Sequence, residues 1–176
     1  MYIQHTTNEA IKQAWGDWVD EVGHRKGGWD WYATLTYRPV PATYTEYTER
    51  SGTMYQGHTY KVLAAPGWDK PGWKYTARAC DTFLNELGQV KGMTDTWWCK
   101  ARETQQWRGV PHYHLLIGGV STLRRMDFVD WHYGKYGIAR IEPYMADLGA
   151  RFYLCKYVTK ELGDIEFSPN LSKAGC

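Results

Sequence analysis

Nowhere does this chain contain eighteen consecutive apolar residues, which excludes an ordinary membrane-spanning helix. Its amino terminus, Met-Tyr-Ile-Gln-His, lacks the basic start and apolar core of a secretion signal, so a soluble, intracellular protein is expected. Cysteine is sparse: Cys80, Cys99, Cys155 and Cys176 form no C-x-x-C pair, which argues for reduced thiols rather than a disulfide framework or a thiolate zinc site. No G-x-x-x-x-G-K-[ST] loop occurs, so a nucleotide-driven motor of that class is absent. A charge excess is also missing. The net charge is +2, with 9 basic against 10 acidic residues in 1–88 and 12 against 9 in 89–176, so the small positive surplus lies in the second half. Without repeats, low-complexity tracts or charge blocks, the 176 residues read as one domain.

Aromatic rings are plentiful instead, with 10 Trp and 14 Tyr. Most of them belong to core and surface, and flat rings also stack on unpaired bases. Ile11, Trp15, Trp18, Val19 and Val22 recur at helical spacing, predicting a first helix capped at Thr7 or Asn8 and ending before His24 to Gly28. Trp29 to Tyr37 is aromatic and β-branched and reads as a strand. Residues 42–72 lack sustained periodicity and read as a loop insertion or irregular hairpin. A second helix is predicted from Trp73 to Leu87 with Gly88 as C-cap, then a hairpin of Thr96–Glu103 and Val110–Ile117. Ser121 is placed to cap a third helix, Gly137 to Pro143 reads as another strand, and Ala146 to Leu162 as the last helix, followed by a short extended tail. The sum predicts an α+β, ferredoxin-like or RRM-like sandwich: a mostly antiparallel sheet of about five strands with helices packed on it.

Two stretches carry chemistry. In Pro111-His112-Tyr113-His114 the alternation of a strand points both imidazoles to one face, where they can share a divalent cation. A hairpin turn centred on Trp107-Arg108 sets Glu103 opposite His112, and one centred on Arg108-Gly109 sets it opposite His114 with Gln105 facing His112. In both registers Glu103 shares the histidines' face. Two nitrogens and one carboxylate oxygen leave open positions for water and a phosphate oxygen and accept Mg²⁺, Mn²⁺ or Zn²⁺. His5, His24, His58 and His132 have no partner at metal spacing. In Tyr153-Leu-Cys-Lys156-Tyr157-Val-Thr-Lys160 the helical period sets two tyrosines side by side with two lysines. A phenol has a pKa of about 10 and is a poor nucleophile unless cations such as Lys156 and Lys160 favour the phenolate. The same spacing also suits a buried aromatic stripe with a solvated lysine edge.

In order, these motifs resemble the HUH endonucleases, and within them the rolling-circle replication initiators (Rep) of small single-stranded DNA phages and plasmids. Ala33-Thr34-Leu35-Thr36-Tyr37 is similar to their first-strand motif, Glu103 to His114 resembles their metal motif, and Tyr153 to Lys160 their paired-tyrosine motif. The resemblance implies a metal-dependent endonuclease and strand-transferase that cuts a single-stranded or hairpin DNA origin and becomes joined to the 5′ end through phosphotyrosine. It implies Tyr157 as first nucleophile with Tyr153 as partner, and His112, His114 and Glu103 as ligands of Mg²⁺ or Mn²⁺, with Zn²⁺ also acceptable. The interval from Glu103 to His112 is nine residues where about eight is expected of many relatives, which keeps Gln105 and Gln106 as rival ligands. Lys100, Arg102, Arg108 and Arg151 are the candidate DNA phosphate contacts. The implied setting is the cytoplasm of a prokaryotic host, with a host helicase and replication proteins supplying the missing motor. Two other readings remain: a transposase of the same superfamily, and a noncatalytic RRM-like module that binds single strands through its aromatics.

Overall fold

The computed structural model describes residues 2–41, 45–48, 59–62, 68–69, 71–91, 95–104, 109–150, 153 and 165–172. A long helix α1 (Tyr2–Arg25) leads into strand β1 (Trp31–Thr36). Four short strands follow, β2 (Val40–Pro41), β3 (Thr45–Thr48), β4 (Thr59–Val62) and β5 (Trp68–Asp69), then α2 (Trp73–Lys91). Strands β6 (Trp97–Thr104) and β7 (Pro111–Gly118) form the hairpin, and α3 (Arg125–Lys135) leads to β8 (Ala139–Pro143). A single 3-10 turn covers Ala146–Leu148, and the described chain closes with β9 (Ile165–Phe167) and α4 (Pro169–Ser172).

The main sheet has the order β8-β1-β7-β6-β9, every neighbouring pair antiparallel. Taken as β1-α2-β6-β7-α3-β8, its first four strands follow the split β-α-β-β-α-β plan, so the expected α+β sheet-and-helix fold is what the chain adopts. Among the described residues of the 42–72 segment, β3 pairs with β4, and β5 pairs with β2, which precedes the segment.

The strand period divides the sheet into two faces. On β1, Trp31, Ala33 and Leu35 are buried while Tyr32, Thr34 and Thr36 are half-buried. The first set joins Tyr113, Leu115 and Ile117 of β7 in a core closed by Ala79, Cys80, Phe83, Leu84 and Leu87 of α2 and Phe128 of α3. Leu35, Phe83, Leu115 and Ile117 are fully buried, each contributing about 1.5–3 kcal/mol by leaving water. The second face holds a smaller core in which Val19 and Val22 of α1 and Trp29 pack on Cys99, Ala101 and Leu116, with Tyr153 and Leu171. Thus α1 covers one end of this face.

Several boundaries differ from the sequence reading. Helix α1 begins at Tyr2, so Thr7 and Asn8 lie within it; nothing in the preceding residues breaks a helix, and a cap preference is weak against continued helical bonding. Helix α2 runs through Gly88 to Lys91, with Gly88 buried inside it, so packing overrides the glycine's modest helical cost. Helix α3 starts at Arg125 after an extended Arg124 that makes no side-chain cap; Ser121 instead lies in a turn closed by the Leu123 N–H on Val120 O at 2.9 Å. Nor is the carboxyl-terminal segment simply extended: Ile165–Phe167 pairs with β6 as the fifth strand and Pro169–Ser172 is helical. Strand β7 ends where Gly119 takes φ +77, at a point where a Cβ would meet Asp95 O at 1.8 Å.

Candidate metal and nucleotidyl-transfer site

Across the second sheet face, antiparallel pairing aligns side chains in rows. One row runs Thr36, His112, Glu103, and the next runs Arg140, Thr34, His114, Ala101. The hairpin therefore adopts the register with Glu103 opposite His112. The carboxylate leans diagonally, however, and Glu103 Oε2 lies 3.3 Å from His114 Nε2. His114 is 6% exposed, and the Glu103 side chain, at 25%, stands at the mouth.

The opposite ring nitrogens meet hydroxyls of β1. Thr36 Oγ1 is 2.9 Å from His112 Nδ1, while the Tyr32 hydroxyl and Thr34 Oγ1 are 2.9 Å and 3.2 Å from His114 Nδ1. Each Nδ1 thus faces a hydroxyl of β1, which leaves Nε2 as the nitrogen on the far side of each ring. Among the described residues, no set of three or more His, Cys, Asp and Glu is already gathered to hold a metal ion. One pair of the candidate ligands does have ligand-like spacing. At bond lengths of about 2.1 Å, neighbouring ligand atoms of a tetrahedral ion lie about 3.4 Å apart, close to the observed His114–Glu103 separation. His112 faces the same way one step along the strand.

Tyr153 lies on this face but in its core. Its ring, 6% exposed, packs on Tyr32 at 4.7 Å and on Tyr144 at 5.1 Å between centroids, and its hydroxyl accepts the Met145 N–H at 3.2 Å. Helix α1 anchors the segment before it. Asp20 accepts the Tyr144 hydroxyl at 2.5 Å and the Ala150 N–H at 2.9 Å. Burial, reinforced by the Asp20 hydrogen bond and charge, raises the Tyr144 pKa well above the ordinary phenol value and keeps the proton in that bond. So Tyr153 is linked to His114 through Tyr32. Tyr157, Lys156, Lys160, Arg151, Arg108, Gln105 and Gln106 lie outside the described residues.

Two of the expected phosphate contacts, Lys100 and Arg102, lie on the opposite sheet face from the histidines. Lys100 is 4% exposed and faces α2, where its ammonium meets Asp81 Oδ1 at 2.6 Å and Glu166 Oε2 at 3.0 Å; the alternation of β6 sends it away from Glu103. Burial, the largest influence, pulls its pKa down, but the two carboxylate bonds outweigh it and hold the group above 10.5. Lys100 is thus a buried, doubly paired cation on the sheet face opposite the histidines. Arg102 registers opposite Tyr113 and shares that face. The cation that does lie in a histidine row is Arg140, 72% exposed and bonded to Glu142 at 2.8 Å, which the sequence reading overlooked. Tyr32, Thr34 and Thr36 also went without a role, though their polar alternation on an otherwise apolar strand was the available signal. No helix among the described residues is long and apolar enough to cross a membrane.

Comparison with protein-family models, with curated proteins and with solved structures finds no match to this chain.

Proposed function

We propose that this chain is a divalent-metal-dependent DNA nicking and joining endonuclease, acting on a single-stranded or hairpin origin as rolling-circle initiators do. The observation that carries the reading is that Glu103, His112 and His114 share one sheet face, with Tyr153 packed on Tyr32 beside His114. His112 Nε2, His114 Nε2 and a Glu103 oxygen would hold Mg²⁺ or Mn²⁺, or alternatively Zn²⁺. Bound there, the ion supplies Lewis-acid polarisation of the scissile phosphate, an effect of several kcal/mol. Tyr157 is the nucleophile, with Lys156 and Lys160 favouring its phenolate. Its oxygen bonds to phosphorus, the 3′ oxygen leaves with a proton, and the 5′ end is left as a phosphotyrosine ester. Because an ester replaces an ester, a free 3′ hydroxyl reverses the step without ATP. Tyr153, buried with its hydroxyl on the Met145 amide, braces this segment, so the first cut falls to Tyr157.

A transposase of the same chemistry differs only in the DNA ends it reads. A noncatalytic single-strand binder of the RRM kind uses the open sheet face, and here α1 occupies one end of that face. The deciding experiment incubates the protein with labelled origin-like hairpin oligonucleotides and Mn²⁺ and separates the products on a denaturing gel. A metal-dependent covalent protein–DNA band is expected. Tight binding with no covalent band under any metal overturns the enzymatic reading in favour of a binding module.

A further inference from the structure

Strand β8 forms one edge of the main sheet and alternates as β1 does. Ala139 and Ile141 enter the core under α2 and α3, so Arg140 and Glu142 take the histidine face. Arg140 registers with Thr34, and Thr34 with His114. Two strand spacings therefore separate the Arg140 and His114 backbones, about 10 Å, which is on the order of one to two nucleotides of an unstacked single strand. The other arginines near this edge are committed to backbone. Arg38 donates to the Tyr133 and Gly134 carbonyls at the end of α3, and Arg125 donates to Ile141 O. Arg140 has one partner among the described residues, Glu142, reached by a single Nη2 contact at 2.8 Å. A guanidinium carries five donors in a planar fork, so most of that fork stays open. An exposed ion pair adds little to stability, and the fold depends on this one little.

We infer that Arg140 grips a backbone phosphate flanking the scissile one, so that the single strand runs from the histidine pair across β1 onto the β8 edge. The inference rests on the DNA substrate of the proposed function and deepens it by giving the strand a path. The arginine fork meets two phosphate oxygens side by side, as it would a carboxylate, and Glu142 yields its share of the guanidinium to the incoming phosphate. Phosphate carries no base identity, so the contact strengthens binding to all sequences alike and fixes where the strand lies. Ile138, whose carbonyl accepts the Thr36 N–H at 2.8 Å, is 63% exposed at the same edge and offers an apolar surface to a sugar or base.

The test measures binding of a fluorescent, mixed-sequence single-stranded oligonucleotide to the whole protein in EDTA across a salt series, so cutting does not enter it. Arg140→Gln should bind about 10-fold more weakly at low salt, with a salt slope shallower by about 0.7, and should melt near the wild-type temperature. Arg140→Lys keeps the charge without the fork, so it should keep the slope and only part of the affinity. Arg124→Gln removes a similarly exposed, ion-paired arginine from the start of α3, the helix on the opposite side of the sheet, and should leave both quantities near wild type. In a hairpin oligonucleotide that the protein cuts, a neutral methylphosphonate within about two nucleotides of the cut should weaken wild-type binding and leave Arg140→Gln unaffected. An unchanged slope in Arg140→Gln, an equal loss in Arg124→Gln, or a methylphosphonate effect shared by wild type and Arg140→Gln overturns the assignment while the endonuclease reading stands. The expected slope change without any covalent adduct sinks the endonuclease reading and keeps Arg140 as a phosphate contact. If the wild type binds no single strand, both fall.

Discussion

Lys100→Met separates a structural cation from a DNA contact in a single variant. Methionine keeps most of the buried apolar stem and removes the ammonium held between Asp81 and Glu166 at 2.6 Å and 3.0 Å. Breaking a fully buried pair by removing one partner costs about 3–5 kcal/mol, and an exposed pair is worth about 0–1 kcal/mol. Here the cation is 5% exposed while the two carboxylates are 53% and 65% exposed, so the acids left behind recover water. The expected loss is therefore intermediate, about 1–2 kcal/mol, which for a chain of this size lowers Tm by about 2–8 °C. The sign of its pH dependence follows from the raised pKa: the contribution is complete below the ordinary lysine value of 10.5 and is lost only as pH climbs through the folded value. Wild type and variant are compared by thermal unfolding at neutral pH and by single-strand binding across a salt series. The salt slope should stay unchanged, because a lost phosphate contact would make it shallower by about 0.7. An unchanged Tm together with a shallower slope would refute the reasoning and return Lys100 to the DNA interface.

Tyr157→Phe should abolish the covalent adduct on a denaturing gel while leaving oligonucleotide affinity near wild type; an adduct of full strength would move the nucleophile to Tyr153. Tyr153→Phe should cost about 1 kcal/mol in chemical unfolding, from the lost bond to the Met145 amide, and keep the adduct, whereas loss of the adduct in a folded protein would make that hydroxyl a reacting group. His112→Ala should remove metal-stimulated nicking, and undiminished nicking would place the metal elsewhere. Buried His132 has its pKa lowered chiefly by desolvation, despite an opposing bond to Gly137 O, with Arg38 also lowering it. A depressed folded value means that stability is full above the unfolded value of 6.5 and falls as pH drops through the folded one, so denaturation midpoints for wild type should decline on acidification and those of His132→Gln should decline less.

Much of the scaffold was legible because its signals are local. The alternation in β1 and β7, the helical spacing of Ala79, Phe83 and Leu87 in α2 and the hairpin residues each depend on a few neighbours along the chain, and each appeared where expected. The ends of elements were less legible, since Asn8, Gly88 and Ser121 state preferences of about a kilocalorie or less that packing overrides. Strand β9 carried almost no local signal; three residues become a strand only because β6 offers an unpaired edge.

At the site, the sequence by itself determined which donors share a face: His112 and His114 by the strand period, and Glu103 in either hairpin register. Tertiary structure decided the rest. It chose between the two registers, sent Lys100 to the α2 side, set Tyr153 in a core with Tyr32 and Tyr144, and brought the hydroxyls of β1 behind the imidazoles of β7. The physical reason is range. A strand's alternation is written in successive residues, but which strand lies beside it depends on how all the helices and strands bury their apolar faces together, and no short stretch of sequence encodes that.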